Sequence, residues 1–553
     1  MSLKERLGKQ PIFLLEIDWN GQLYRVASDA VDVPSDSGLI PFTGSLLEFD
    51  YQESMSIGST QLDTNVLGCS IILDGVDILL EFALGNGIQG SSAVFSYVMF
   101  DDRSVSAYEE RIILTKGIIQ EPQYGDPLEP EDFLAISISA EPFDESRLLI
   151  DPELRIDERW ADRDIETADG KAYPIVFGEP GQINQADGTT TQVFSVPAYC
   201  ISDDHSSLNG IRALIGAGRL IQGPSVLGSG LDVTIKDQIG NTLLKPIRTS
   251  VDARGNYYSY IQILNTDVLA FPGCNAFAGE NASEYYVSCI GGIQSPYRDS
   301  VLQGGGDICR WALEKTGQLV DHAAWANMSA ILNRYSFAGY VNDPTIGAWD
   351  WLSGNILPYL PISIVGGPNG IKPVLIQLWA LELIHPVGIV SIGVAEDWLQ
   401  ISAVETIRST GDLINRSVVK YAPKGFDDDE SQQVVCTAVP LNDGEIGSDY
   451  AVISQQRYGI QEQGVTTEYV YSRATADRIA MDIVRAYALP IKQFTVVAGF
   501  EWGWLELGDC VEVTNSRLHL FSHKMLVVSK RWNGQAFEFT LMFEDNHIQN
   551  PRQ

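Results

Sequence analysis

Basic residues are scarce in this chain. Its 553 residues hold 37 Lys and Arg against 72 Asp and Glu, a formal charge of −35. A surface that grips a phosphate backbone needs Lys or Arg at each contact, so this balance argues against nucleic-acid binding and against adhesion to anionic lipid. Cysteine pairs at metal or redox spacing are missing. The seven cysteines, Cys69, Cys200, Cys274, Cys289, Cys309, Cys436 and Cys510, form no CxxC. Cys274, Cys289 and Cys309 could be taken as part of a metal or iron–sulfur site. Their spacings of 15 and 20 are wider than a zinc ribbon uses, and no fourth ligand offers itself. Reduced, buried thiols of an intracellularly folded protein are the expectation.

Histidine is scarcer still, with six: His205, His322, His385, His519, His523 and His547. No HExxH, GxSxG or P-loop signature surrounds any candidate nucleophile or base. Asp203-Asp204-His205 sits in a serine-rich loop and reads as a solvated turn, and Asp427-Asp-Asp-Glu430 lacks the spacing of an ion-binding loop. No catalytic, cofactor-binding or metal-binding residue is therefore assigned. Long apolar runs are also missing. Residues 387–395 are among the longest, well short of the ~20 needed to span a bilayer. The early apolar run is broken by Glu16 and Asp18 and fails as a signal-peptide core. Three N-x-S sequons, at Asn281, Asn327 and Asn415, carry little weight without a secretion signal.

What is present is apolar and aromatic residue enough (45% and 10%) to bury several cores. Short strands punctuated by turns dominate. Residues 14–19 and 22–26 flank Asn20-Gly21, a strong hairpin signal. Further strands are expected at 70–73, 94–99, 111–119, 134–138, 372–383, 493–500, 510–514, 525–532 and 536–543, the last two joined at Asn533-Gly534. Tyr257, Tyr258 and Tyr260 look like a ligand ladder but read better as a strand with aromatics on both faces. Two notable helices are expected. One follows Gly304-Gly305-Gly306 with Asp307 as N-cap. The other spans 472–487 with Ile479, Ile483, Val484 and Tyr487 on one face. The fold class is mainly β (all-β to α+β), with several small barrels or sandwiches. The expected division is 1–178, 179–300, 301–395 and 396–553.

The final segment carries an ordered pattern. It runs Asn415-Arg-Ser-Val-Val-Lys-Tyr-Ala422, then Ser454-Gln-Gln-Arg-Tyr-Gly459, a helix over 474–489, Leu505-Glu-Leu-Gly-Asp-Cys-Val-Glu-Val-Thr514, a strand and a closing hairpin. Upstream lie Gly305–Gly317, Phe337-Ala-Gly-Tyr340 and Trp351 to Pro358. This pattern resembles the tail hub or tail tip proteins of siphophages and gene transfer agents, distant relatives of baseplate hubs. The resemblance covers roughly the last 250 residues and extends loosely to the N-terminal 180.

The resemblance implies a structural virion protein of the tail tip, assembled in the host cytoplasm, with no enzyme activity and no cofactor. It implies a homotrimeric ring whose paired barrels match a six-fold tail tube. Its partners would be the tube, the distal tail protein, the tape measure protein and fibre or receptor-binding proteins, with DNA passing only in transit through the lumen. Some relatives carry a hydrolase domain or an iron–sulfur cluster; this sequence has neither a hydrolase motif nor the cysteine spacing. The competing class is a secreted glycan-binding protein or glycoside hydrolase, which 11 Trp and 22 Tyr would suit. A tailspike with parallel β-helix coils would show a repeat that is not visible.

Overall fold

Asn20 and Gly21 both take positive φ, 52° and 79°. The strands Lys9–Trp19 and Gln22–Ala27 therefore turn back on each other through a two-residue loop, Trp19 opposite Gln22, as the Asn-Gly pair predicts. This hairpin opens a computed structural model describing residues 9–55, 66–72, 87–101, 104–124, 133–139, 147–156, 170–180, 182–184, 190–192, 196–202, 211–221, 232–236, 242–264, 285–288, 291–378, 388–391, 398–402, 404–422, 432–515 and 520–544. The chain is mainly β, as expected.

Sixteen strands of the described residues join one sheet. Its main path runs 22–27, 9–19, 92–101, 112–119, 133–139, 66–72, 46–54, 520–532, 537–544, 491–498, 398–401. The seam lies between Leu46–Ser54 and Leu520–Trp532, with Ser54 opposite Ser529, Glu53 opposite Lys530 and Gln52 opposite Arg531. Met55 N donates to Val528 O at 2.8 Å and extends it. The sheet rolls, because Phe13 on its second strand meets Trp532 across the core at 4.8 Å, and Phe49 at 4.4 Å. Inward residues from both chain ends, among them Leu15, Phe95, Leu134, Val496, Met525 and Phe539, form a single core. Burying such side chains supplies roughly 1.5–3 kcal/mol each, which makes this core the main tie between the chain's ends.

Strands Val196–Ser202, Ile211–Ala217, Tyr257–Ile263, Thr242–Val251, Asp232–Lys236 and Tyr285–Ser288 close a separate antiparallel barrel. Tyr258 is buried and Tyr257 exposed, so the tyrosine run alternates faces as a strand should.

Beside the barrel a second large core gathers the helical region and residues 416–488. Five α-helices of eight or more residues are described, not the two expected: Gly305–Lys315, His322–Leu332, Ala348–Asn355, Asp449–Tyr458 and Arg473–Tyr487. The first begins at Gly305 with Gly304 as N-cap, which corrects the placement of Asp307 there. Asp307 lies within the first turn and buried, held by Arg298 (Nε to Oδ2, 2.7 Å) and Asn333 (Nδ2 to Oδ1, 3.0 Å). The glycine triplet serves close packing: a Cβ on Gly304 would come 2.2 Å from Asn333 Oδ1, and one on Gly305 2.9 Å from Leu360 Cδ2. The strand expected at 372–383 is Gly370–Leu375, a ribbon with Ile362–Gly367. Residues 379–383 lie outside the described residues.

Some of the segments that carried the resemblance meet in space, while 510–515 and the closing hairpin belong to the large sheet. Strands Arg416–Tyr421, Gln432–Thr437, Glu445–Gly447 and Glu462–Thr466 make a small mixed sheet, covered by the 473–487 helix. Asn415 is fully buried at its edge. Its Nδ2 donates to Ser454 Oγ (3.0 Å) and Gly459 O (2.8 Å), its Oδ1 accepts from Gln461 N (2.8 Å), and its O accepts from Gln455 Nε2 (2.8 Å). Likewise Ile175–Phe177 pairs with Gly339–Val341, and Gly178 (φ +63°) sits where a Cβ would come 2.3 Å from Phe337 O.

Candidate functional site

The histidines and cysteines weighed for chemistry do not converge. His322 is exposed and accepts from Arg310 Nε at 3.1 Å, with Glu314 at 3.5 Å. It begins a helix whose N-cap is Asp321, a structural task that explains the Asp321-His322 pair. Cys309 is fully buried on the 305–315 helix, where burial pushes its thiol above the ordinary range. Cys69, Cys436 and Cys510 are likewise buried and free of disulfides. His523 lies on a strand with its ring edge-on to Phe543. Asp203, Asp204, His205, Cys274, Cys289, His385, residues 427–430, His519 and His547 lie outside the described residues. Among the described residues, no group of three or more His, Cys, Asp and Glu could hold a metal ion. No described helix is long and apolar enough to cross a membrane.

Two places gather perturbed charges. The first is the seam. Lys530 is buried there directly opposite Glu53. Its Nζ donates to Gly503 O at 2.5 Å and lies 5.6 Å from the Tyr51 ring and 5.4 Å from Phe537. Burial pushes the Lys530 ammonium below its ordinary value and the Glu53 carboxyl above its own, and each opposes the shift of the other. Lys372, from the 370–375 ribbon, pairs with Glu506, and Asp509 is raised by burial nearby. Perturbed groups of this kind can mark catalytic sites. Here the cavity among Glu53, Lys372, Gly503, Glu506 and Lys530 is about 20 Å³, room for about one water and for no substrate. The cluster therefore joins the early strands, the 366–372 turn and the last strands.

The second is an apolar cavity of about 160 Å³ between residues 357–362 and the later turns of the 473–487 helix. Leu360, Ile376, Ile479, Ile483 and Ile491 line it, with Arg408, Arg485, Asp482 and Glu544 at its polar side. Arg408 lies 4.0 Å over the Tyr487 ring and donates to Ala486 O. Burial raises Glu544 to about 7, opposed by Tyr450's hydrogen bond and by Arg408. Burial also raises Asp482, whose carboxylate accepts from Tyr335 OH. Neither site was visible in the sequence, because each assembles residues more than a hundred positions apart. A lysine inside a strand that opens with the apolar run Met525-Leu-Val-Val528 is the one local signal.

No protein-family model matches the chain, and no curated protein does. Among solved structures it is similar to the tail protein from Neisseria meningitidis MC58, at 9% identity over 98% of both chains with a TM-score of 0.36. It is also similar to the prophage MuSo2 43 kDa tail protein from Shewanella oneidensis, at 8% identity over 96% of this chain and 97% of that one, TM-score 0.36. A chain of the phage P2 baseplate in its activated conformation matches at 10% identity, over 67% of this chain and 98% of that one, TM-score 0.17. Scores this low fix neither the fold nor the role of this chain.

Proposed function

We propose that this chain is a structural, non-catalytic virion protein: a tail hub that closes the distal end of a phage-type tail tube as a homotrimeric ring. The ring would meet the tube and a distal tail protein on one side and fibre or receptor-binding proteins on the other. Tape measure protein and DNA would pass through its lumen during host entry. The observation that carries the reading is the seam. Two sets of strands from opposite ends of the chain stand edge to edge in one sheet, so three copies would present six such sets around an axis. The ordered pattern of the last 250 residues adds to it, since two of its pieces, 415–422 and 454–459, are tied to one another through Asn415. The charge fits as well: a lumen lined by carboxylates repels phosphate and eases its passage.

The test is the mass of the full chain in solution. The hub reading expects about three times 60.8 kDa. A monomer whose melting temperature rises on adding a glycan would replace it with the carbohydrate-binding class.

A further inference from the structure

The 160 Å³ cavity beside the 473–487 helix has two unlike halves. One is apolar, walled by Leu360, Ile376, Ile479 and Ile491. An apolar cavity of about 150 Å³ takes a guest the size of benzene. The other half holds two arginines from different elements: Arg408, ahead of the 416–421 strand, and Arg485, in the last turn of the helix. Neither guanidinium is fully engaged. Arg408 lies over the Tyr487 ring and spends one of its five N–H groups on Ala486 O. Among the described residues it has no carboxylate at ion-pair distance, and burial pulls it below its ordinary range. Arg485 reaches Asp482 Oδ1 only at 3.9 Å, and its side chain is 38% exposed, so the polar half is the solvent side.

The two acids beside these arginines do not supply the missing counter-charge. Asp482 already accepts from Tyr335 OH and faces Arg478 as well as Arg485. Glu544 is buried and keeps its proton up to about pH 7, with the Tyr450 hydrogen bond and Arg408 facing it. Asp412 near Arg408, and Tyr359 and Tyr487 on the walls, complete the titratable groups around the site. Below pH 7 the lining therefore sets two cations, Arg408 and Arg485, against one anion, Asp482. This local positive excess stands out in a chain of −35.

We propose that this cavity is a binding site for a small amphipathic carboxylate of about benzoate size. Its apolar body lies among Leu360, Ile479 and Ile491, and its carboxylate meets Arg408 and Arg485. The planar guanidinium matches a carboxylate with two parallel N–H donors, and such charge-assisted bonds are the strong ones. An amine of the same size would face two guanidinium groups, and a hydrocarbon would leave both as they are. The site lies within one copy, so it stands apart from the ring assembly.

The test is calorimetric titration of the full chain with sodium benzoate at fixed ionic strength, with benzyl alcohol as the neutral probe. At pH 6 benzoate is expected to bind with a Kd at or below roughly 1 mM, and benzyl alcohol at least about ten-fold more weakly. Benzoate affinity should fall by at least about three-fold between pH 6 and pH 8, as Glu544 ionises beside it, and Glu544→Gln should keep the binding and abolish the fall. Arg408→Gln should weaken benzoate at least about ten-fold and leave benzyl alcohol unchanged, a split that misfolding does not produce. Should that variant fail to fold by circular dichroism, Arg485→Gln, at the more exposed arginine, supplies the same comparison. Equal affinity for the two probes would overturn the carboxylate and leave a merely apolar hole. No saturable binding of benzoate, or binding that both arginine variants leave unchanged, would overturn the site.

Discussion

At the scale of single residues, the seam buries two opposite charges that attract each other. Lys530 and Glu53 face each other across antiparallel strands with little solvent to screen them. Removing one partner leaves an uncompensated buried charge, which costs roughly 3–5 kcal/mol, whereas replacing both by apolar or neutral groups is close to neutral. Lys530→Met should therefore lower unfolding stability by about that amount in urea titration, and Glu53→Gln/Lys530→Met should recover most of it. An additive double variant would remove the pair from the account of the seam.

Glu544 makes a pH prediction. Its folded value near 7 lies above the ordinary 4.5, so the folded chain holds the proton more tightly than the unfolded one. Its contribution to stability is full below pH ~4.5 and is lost as pH rises through 7. Glu544→Gln should flatten stability over that window and raise it at pH 8 by on the order of 2–3 kcal/mol, read from melting curves across pH. Arg408 and the hydrogen bond from Tyr450 oppose the shift, so Arg408→Gln should push the midpoint higher.

At the scale of elements, the clearest sequence signals were those with one dominant local cause. Asn20-Gly21 produced its hairpin, and Ile479, Val484 and their neighbours produced the 473–487 helix, because turn chemistry and apolar period act over a few residues. The helices His322–Leu332 and Asp449–Tyr458 escaped notice for the opposite reason. Only Trp325 and Leu332 are buried in the first, and Ala451 and Ser454 in the second, so neither shows an apolar stripe. Their boundary signals were nonetheless in the chain: Asp321 as N-cap, and Gly459 with φ +74° past the C-terminus. Asp307 misled because a capping residue type after glycines is locally persuasive, while its partner Arg298 and neighbour Asn333 come from outside the helix. The Asn415 hub has the same character. Asn415→Ala removes the bonds to Gly459 O and Gln461 N, which lie nearer solvent, and leaves the buried Ser454 Oγ without that partner. A loss of roughly 1–3 kcal/mol in chemical denaturation is expected, and no measurable loss would mean the segments are held by apolar packing alone.

At the scale of the whole molecule, the decisive contacts are the least legible. Ser529 Oγ donates to Glu53 O across 476 positions of sequence. No turn, spacing or composition announces that pairing; it arises because both strands bury one face in the same core, with Phe13 against Trp532. Mainly β composition was readable, while the merging of first and last strands into one rolled sheet was not. The acidic excess belongs to this scale too. In the proposed ring its carboxylates would face solvent or lumen, away from the surfaces between subunits.

Electron cryomicroscopy of the purified full chain tests the central claim most directly. The account predicts a closed ring of three copies, with two β units from each arranged around a central channel whose wall is enriched in Asp and Glu. Monomers, open filaments, or a channel wall depleted of carboxylates would contradict it.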